Sequence, residues 1–307
     1  MDIVWWLRNF FGNVFVLFVI VSIILVYVTA LLAKKKAPDR DDEKRIALVT
    51  GASSGLGNAY ARQIAVTEKG IEEIWLVARR ADRLEAFSNQ LKQMGMPAKV
   101  LALDLTDDIS YARLEEELKK EQVRIGLLIV CAGYAKIGNY ERVSRFDSGH
   151  MIDLNCKAAV DTTLVALPFM KAGDRIMEVC STAAFQPLQH MNIYAASKAF
   201  LYNYTRGLRM ELLPRRIKVT AVCPYWIKDT EFISVAKDDE QMVHGHSAVR
   251  HFPFSTKAEP VAKRSLRASR IGRAVATPGI FCIVHRIFAK LISREAAMYI
   301  WEGMRRI

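Results

Sequence analysis

From about residue 45 onward the chain alternates between two hydrophobic rhythms. Short apolar runs at 46–50, 74–78, 100–103, 127–131, 175–180 and 218–223 have the length of buried strands. The stretches between them, such as 82–94 and 111–121, are helix-length and carry a charged face. Strands that alternate with helices form right-handed crossover units, and such units build a parallel sheet covered on both faces. The pattern predicts an α/β fold, a doubly wound parallel sheet, with ligand at the carboxyl ends of its strands.

A different pattern occupies the N-terminus. Residues 14–32 read VFVLFVIVSIILVYVTALL, 19 positions without a charge. At ~1.5 Å per residue such a helix spans about the hydrocarbon core of a bilayer. Trp5 and Trp6 lie just outside it, where interfacial anchors belong. Lys34, Lys35, Lys36, Arg40, Lys44 and Arg45 follow it, whereas only Arg8 precedes it. The excess of basic residues behind the segment predicts a single-pass transmembrane helix with the main domain on the cytoplasmic side. A cleaved signal peptide fits less well, because Asp2 stands in front and a lysine cluster behind.

Composition sharpens this picture in two places. The net charge is +12, and between Val261 and Ile307 ten Lys/Arg stand against Glu295 and Glu302, a local +8. Such a tail could meet nucleic acid, acidic protein or anionic lipid. Beside the apolar N-terminal segment, membrane lipid is the expected partner and nucleic acid is not. The apolar stretch 279–292, with basic residues interspersed, suits a membrane surface. A helix packed on the domain with its charges in water is the alternative. The five cysteines (Cys131, Cys156, Cys180, Cys223, Cys282) are scattered, without C-x-x-C or Cys/His spacing, so no metal site is expected.

The chemistry begins directly after the first strand, with Thr50-Gly51-Ala52-Ser53-Ser54-Gly55-Leu56-Gly57. Glycines in a strand-turn-helix position let backbone N–H groups approach a diphosphate, and the helix N-terminus adds partial positive charge. This points to a Rossmann-type nucleotide site. The second strand ends in Arg79-Arg80 and offers no acid before Asp82. An acid there would accept ribose hydroxyls, whereas Arg suits a 2′-phosphate, so Arg79, with Arg80 beside it, favours NADP(H). Asp104, before Leu105, ends the third strand, either near an adenine pocket or as an ordinary helix cap.

Tyr194-Ala195-Ala196-Ser197-Lys198 opens a predicted helix. Tyr and Lys four apart share a helical face, so the ammonium can stabilise a phenolate and lower a pKa otherwise near 10. Ser181 lies upstream at the end of an apolar run, and Asn155 further back.

Taken together, TGASSGLG, Asp104-Leu105, Cys131-Ala132-Gly133, Asn155, Ser181, Tyr194-x-x-x-Lys198 and Cys223-Pro224 resemble the short-chain dehydrogenase/reductase family in order and spacing, from about Lys44 to Thr230. The resemblance implies that Tyr194 is the general acid/base and that Ser181 holds the substrate oxygen. Lys198 would lower the tyrosine pKa and bind the nicotinamide ribose, and Asn155 would hold a helix kink and a relay water. NADP(H) would lie along Gly51, Ser53, Ser54, Gly55, Leu56, Gly57, Arg79, Asp104, Leu105, Ala132 and Gly133, then Tyr194, Lys198, Pro224, Ile227 and Thr230. Two residues depart from the family pattern. Cys131 replaces an Asn, which would loosen a sheet hydrogen bond, and Tyr225 replaces a Gly, which would bring a ring to the substrate side.

The expected organisation is an anchor at 1–33, a linker at 34–44, a Rossmann-type catalytic domain at 45–256 and a basic helical extension at 257–307. Anchor plus domain resembles the hydroxysteroid dehydrogenase and long-chain 3-ketoacyl reductase branches. The substrate implied is a lipophilic ketone or secondary alcohol, steroid-like, with a 3-ketoacyl chain as the alternative and a catalytically silent membrane protein as a third reading. The pattern leaves room for a homodimer.

Overall fold

The computed structural model describes residues 3–32, 43–237, 249 and 254–306. The chain forms two units, Met1–Asp41 and Asp42–Ile307. In the first, one helix, α1 (Ile3–Leu32), takes up the whole apolar segment. Its side chains are described at 12–26 and at 28, and all of these are exposed. Among the described residues no helix is long and apolar enough to cross a membrane. Trp5, Trp6 and Arg8 have no described side chain, and Lys34 to Arg40 lie outside the described residues.

The second unit is built from seven parallel strands. β1 (Arg45–Thr50), α2 (Gly55–Thr67), β2 (Glu73–Ala78), α3 (Ala81–Gln93), β3 (Ala98–Ala102) and α4 (Ile109–Lys120) form the first half. β4 (Arg124–Val130) follows, then α5 (Arg145–Ile152), which runs through a π-helical turn at Asp153–Lys157 into α6 (Ala158–Ala166). β5 (Arg175–Val179), α7 (Asn192–Glu211), β6 (Lys218–Val222) and α8 (Phe232–Lys237) come next. The chain ends with α9 (Ala258–Arg270), β7 (Val275–Ala276), α10 (Ile280–Leu291) and α11 (Arg294–Arg306).

Sheet order is β3-β2-β1-β4-β5-β6-β7. In register, Val49 lies between Leu76 and Ile129. Side chains alternate across the sheet, so Ile46 and Leu48 pack with α4, α6 and α7 while Ala47 and Val49 pack with α2, α3 and α9. Burial on both faces explains why the strands read as unbroken apolar runs. The order reverses at β1, and the crossovers leave to opposite sides there. That opens a crevice at the carboxyl ends of β1 and β4.

The structure moves one expected boundary. α9 buries Val261, Ala262 and Leu266 against α2 and the sheet. β7 pairs with β6 through Ala221↔Val275 and Val222↔Ala276. The expected break at 256 therefore falls inside a folded unit that continues to residue 307. The reason is packing: without α9 the outer face of β5 and β6 would be bare.

Candidate active site

The turn after β1 is shaped by its glycines. Gly51 and Gly55 take positive φ, at 67° and 54°, where a side chain is strained. A Cβ on Gly57 would lie 2.3 Å from the Gly51 carbonyl oxygen, so only glycine lets the turn close onto the start of α2. Thr50 Oγ1 accepts from Cys131 N at 2.9 Å and Ala132 N at 3.0 Å, tying the ends of β1 and β4. With Cys131 in place of Asn, β1 and β4 are still tied by these backbone N–H groups and the Thr50 hydroxyl. Thr230 lies against Gly55, its Cβ 3.2 Å from where a Gly55 Cβ would stand.

Arg79 and Arg80 both border the same cavity but differ in what holds them. Arg80 donates to Ser53 Oγ at 3.1 Å, Ser54 Oγ at 2.9 Å and Glu231 at 3.0 Å. Arg79 meets Asp104 only at 3.8 Å and has a side chain 62% exposed. Asp104 lines the cavity and accepts from Thr106 N and Oγ1 in a local turn; the N-cap position of α4 is held by Asp108 instead. Desolvation opposes its charge, but those bonds and Arg79 hold its carboxyl below the ordinary value.

At the other end of the crevice the four residues singled out in the sequence converge. Ser181 follows β5 and caps a short 3-10 turn, its Oγ accepting from Ala183 N at 3.1 Å. Tyr194 and Lys198 stand one turn apart on α7, with Lys198 Nζ 6.0 Å from the centre of the Tyr194 ring and donating to Val179 O at 2.8 Å. Asn155 lies inside the π-helical turn, where one extra residue per turn kinks the α5–α6 helix. Its amide is fixed by Tyr134, which donates N–H to Oδ1 at 3.1 Å and accepts from Nδ2 at 3.0 Å. A Cβ on Gly133 would lie 2.7 Å from Asn155 Oδ1 and 3.3 Å from Lys198 Nζ, so the two polar atoms face one point.

Burial dominates the electrostatics. It pushes the Tyr194 phenol up to about 12, against a hydrogen bond with Ser181 that pulls it down. Burial also lowers the Lys198 ammonium below its ordinary value. Among the protein's own groups desolvation thus disfavours both charges, and the lowering of the phenol expected from Lys198 is one it would bring about together with an oxidised nicotinamide.

Loop, arginines and catalytic residues share one cavity of about 750 Å³. Gly51, Ser53, Gly55, Arg79, Asp104 and Ala132 line one arm, and Ser181, Tyr194, Lys198, Pro224, Ile227 and Thr230 surround the junction. The second arm is apolar. Phe232 lies 5.6 Å from the Tyr194 ring and 6.5 Å from Trp226. Tyr225 faces Phe281 at 4.3 Å, which places the ring that replaces the family's Gly on this side. α10 and α11 close the arm with Phe281, Val284, Phe288, Ile300 and Trp301. Trp301 Nε1 donates to Gln189 O at 3.1 Å, and His285 Nε2 lies 2.9 Å from Gln186 Oε1. The family resemblance places a variable substrate lid after Thr230, including Phe232 and 279–292, and residues of this region wall the arm. Ile300 and Trp301 were not singled out, nor was the cavity-facing stripe 281, 284, 285 and 288 told apart from the outer face.

The pattern of the short chain dehydrogenase family matches residues 45–241. The chain belongs to the short-chain dehydrogenase family. An uncharacterized oxidoreductase of Staphylococcus aureus (strain MRSA252) is 34% identical over 188 residues, 59% of this chain and 77% of the relative. A short-chain dehydrogenase from Sphingobium yanoikuyae, solved in complex with NADPH, superposes with a TM-score of 0.66 at 27% identity, covering 81% of this chain and 97% of that one. A family member from Burkholderia phymatum, solved with NAD, has a TM-score of 0.68 at 18% identity over 81% of this chain and 92% of its own, and shows the fold alone.

As a short-chain dehydrogenase the chain is an oxidoreductase, and its residues fit a dinucleotide. The glycine turn and the α2 N-terminus would take the diphosphate, and Lys198 with Tyr194 would take the nicotinamide ribose. A bound nicotinamide would carry the hydride. The protein's part would be to hold a carbonyl or alcohol oxygen between Ser181 and Tyr194 and to move a proton at Tyr194 Oη. Desolvation strengthens each hydrogen bond made to that oxygen as charge develops on it.

Proposed function

We propose that this short-chain dehydrogenase is a membrane-anchored enzyme that interconverts a lipophilic ketone and its secondary alcohol with NADP(H). One observation carries the reading. The polar cluster Ser181, Tyr194 and Lys198, with the buried Asn155 behind it, ends a cavity whose substrate arm is walled mainly by aromatic and aliphatic side chains. An apolar wall around a single polar point binds a molecule that is lipophilic except at one oxygen. Broad rings such as Trp226, Phe232 and Phe281 suit a rigid, steroid-like ring system, with a 3-ketoacyl chain as the alternative. The exposed Arg79 and the NADPH held by the Sphingobium relative support the phosphorylated cofactor.

The test is turnover of a panel of steroid, 3-ketoacyl and small cyclic ketones with NADPH, read at the nicotinamide absorbance. Tyr194→Phe should fold and bind NADPH yet lose about 10²-fold or more in turnover, because no positioned donor is left. Near-native turnover in that variant would sink the assignment, and silence toward every ketone would sink the function.

The uncharged run in α1, with its basic C-terminal flank, supports an anchor that leaves the enzyme on the cytoplasmic side. The full chain should pellet with membranes through a carbonate wash and survive protease added outside intact cells. Release by carbonate, or cleavage from outside, would overturn the anchor or its orientation.

A further inference from the structure

α10 has three distinct faces. Phe281, His285 and Phe288 turn into the cavity, and Cys282 is buried. Ile280, Ile283, Val284, Ile287 and Leu291 form an exposed aliphatic stripe at the spacing of one helical face, roughly 100° wide. Ile280 is 82% and Leu291 79% exposed, extreme values for aliphatic side chains of a folded unit. Arg286 and Lys290 follow along the far edge of the stripe, and α10 carries no acid. Val284 belongs to both the stripe and the cavity wall, and so does Phe288 at their shared border. Ile300 and Met304 of α11 likewise line the cavity and remain exposed. The cavity therefore opens through a rim that is itself apolar and, among the described residues, uncovered.

We propose that the α10 stripe and the adjoining α11 rim lie in the headgroup layer of an anionic bilayer, so that the substrate arm opens into lipid. Aliphatic side chains flanked on one edge by cations match a membrane surface, where the apolar face enters the acyl boundary and Arg286 and Lys290 reach phosphates. A second copy of the chain matches less well. It would add its own Arg286 and Lys290 to the contact, with no carboxylate on either α10 to meet them. It would also cover the mouth at Val284 and Phe288, whereas a fluid bilayer covers the same side chains and still delivers a lipophilic molecule. This inference rests on the lipophilic-substrate reading but has a readout independent of turnover.

The full chain carrying Ile287→Cys, labelled with an environment-sensitive fluorophore, is placed in phosphatidylcholine vesicles containing phosphatidylserine. The native cysteines are buried or half-buried, which favours labelling at the new site. Glu116→Cys on α4 serves as the exposed control. The 287 label should shift to the blue and be quenched by nitroxide-bearing lipid, while the 116 label responds to aqueous iodide. Because the signal is local to α10, attachment through another segment does not imitate it. Ile283→Glu, outside the cavity wall, should raise KM for a vesicle-borne ketone roughly tenfold and leave KM and kcat for a small water-soluble ketone unchanged. Iodide quenching at 287 equal to that at 116 overturns the proposal. Energy transfer between 287 labels without lipid quenching also overturns it, in favour of a second copy. Loss of all ketone turnover with lipid quenching intact would instead remove the substrate reading alone.

Discussion

Arg80 has its guanidinium engaged by Ser53, Ser54 and Glu231, whereas Arg79 is largely exposed with a weak partner. A guanidinium free to form paired, charge-assisted bonds is the one a 2′-phosphate can recruit. Such bonds at a partly exposed site are worth about 1.5–3 kcal/mol, or roughly ten- to hundredfold in affinity. NADPH should therefore bind more tightly than NADH, with a gap that narrows as salt is added. Arg79→Asp should reverse the order by repelling phosphate and accepting ribose hydroxyls. Equal dissociation constants for the two cofactors in wild type at low salt would make Arg79 a mere surface charge. Glu178 shows a residue effect of another kind. Thr163 Oγ1 is 2.7 Å from Glu178 Oε1 and 2.8 Å from Ala159 O, and its single hydrogen can satisfy only one of them. Both contacts are hydrogen bonds if Glu178 is a neutral acid donating to Thr163. Burial pushes its pKa up to about 8, opposed by Thr163 and by Lys198, and Tyr204 packs near it. The native state then holds a proton that an unfolded glutamate, at 4.5, releases. Stability from this group is complete below about 4.5 and is lost as pH rises toward 8. Thermal melts across that window should fall with pH, and Glu178→Gln should flatten the fall. An unchanged slope would place the titration elsewhere.

Elements buried on both sides were legible because their composition leaves little choice. Runs such as LLIV in β4 or IALV in β1 are apolar whichever face is considered. Boundaries were less legible where a charge is buried. β4 starts at Arg124, ahead of its apolar run, because Asp174 accepts from Arg124 Nε at 2.8 Å and hides the charge. That pairing joins residues fifty apart and has no local trace. The glycine turn and Tyr194-x-x-x-Lys198 were legible, since spacing alone puts their groups on one face. The helix kink at Asn155 was expected only from the family resemblance, because nothing in the composition of Asp153-Leu154-Asn155-Cys156-Lys157 departs from that of an α-helix. α9 and β7 were assigned to an extension for a related reason. A two-residue strand carries no period, and the buried face of α9 includes Ser265 and Ser269. α10 was read as one amphipathic helix when it is apolar on two faces, one toward the cavity and one outward.

At the scale of the molecule, cofactor arm and substrate arm are one space, and an ionic junction reaches across its edge. Glu231 binds Arg80 beside the glycine turn and Arg83 on α3. One residue later the chain places Phe232 against Tyr194. The two arms are thus bordered by adjacent residues, Glu231 and Phe232, and coupling between their ligands should run through this pair. Coupling of this sort is reciprocal by thermodynamic necessity: the factor by which NADPH tightens the alcohol equals the factor by which the alcohol tightens NADPH. Calorimetric titration of either ligand in the presence of the other reads that factor. Glu231→Ala should bring it toward one while leaving each ligand's affinity alone within a fewfold of wild type. A factor that survives the substitution would mean that the arms communicate through the sheet edge instead.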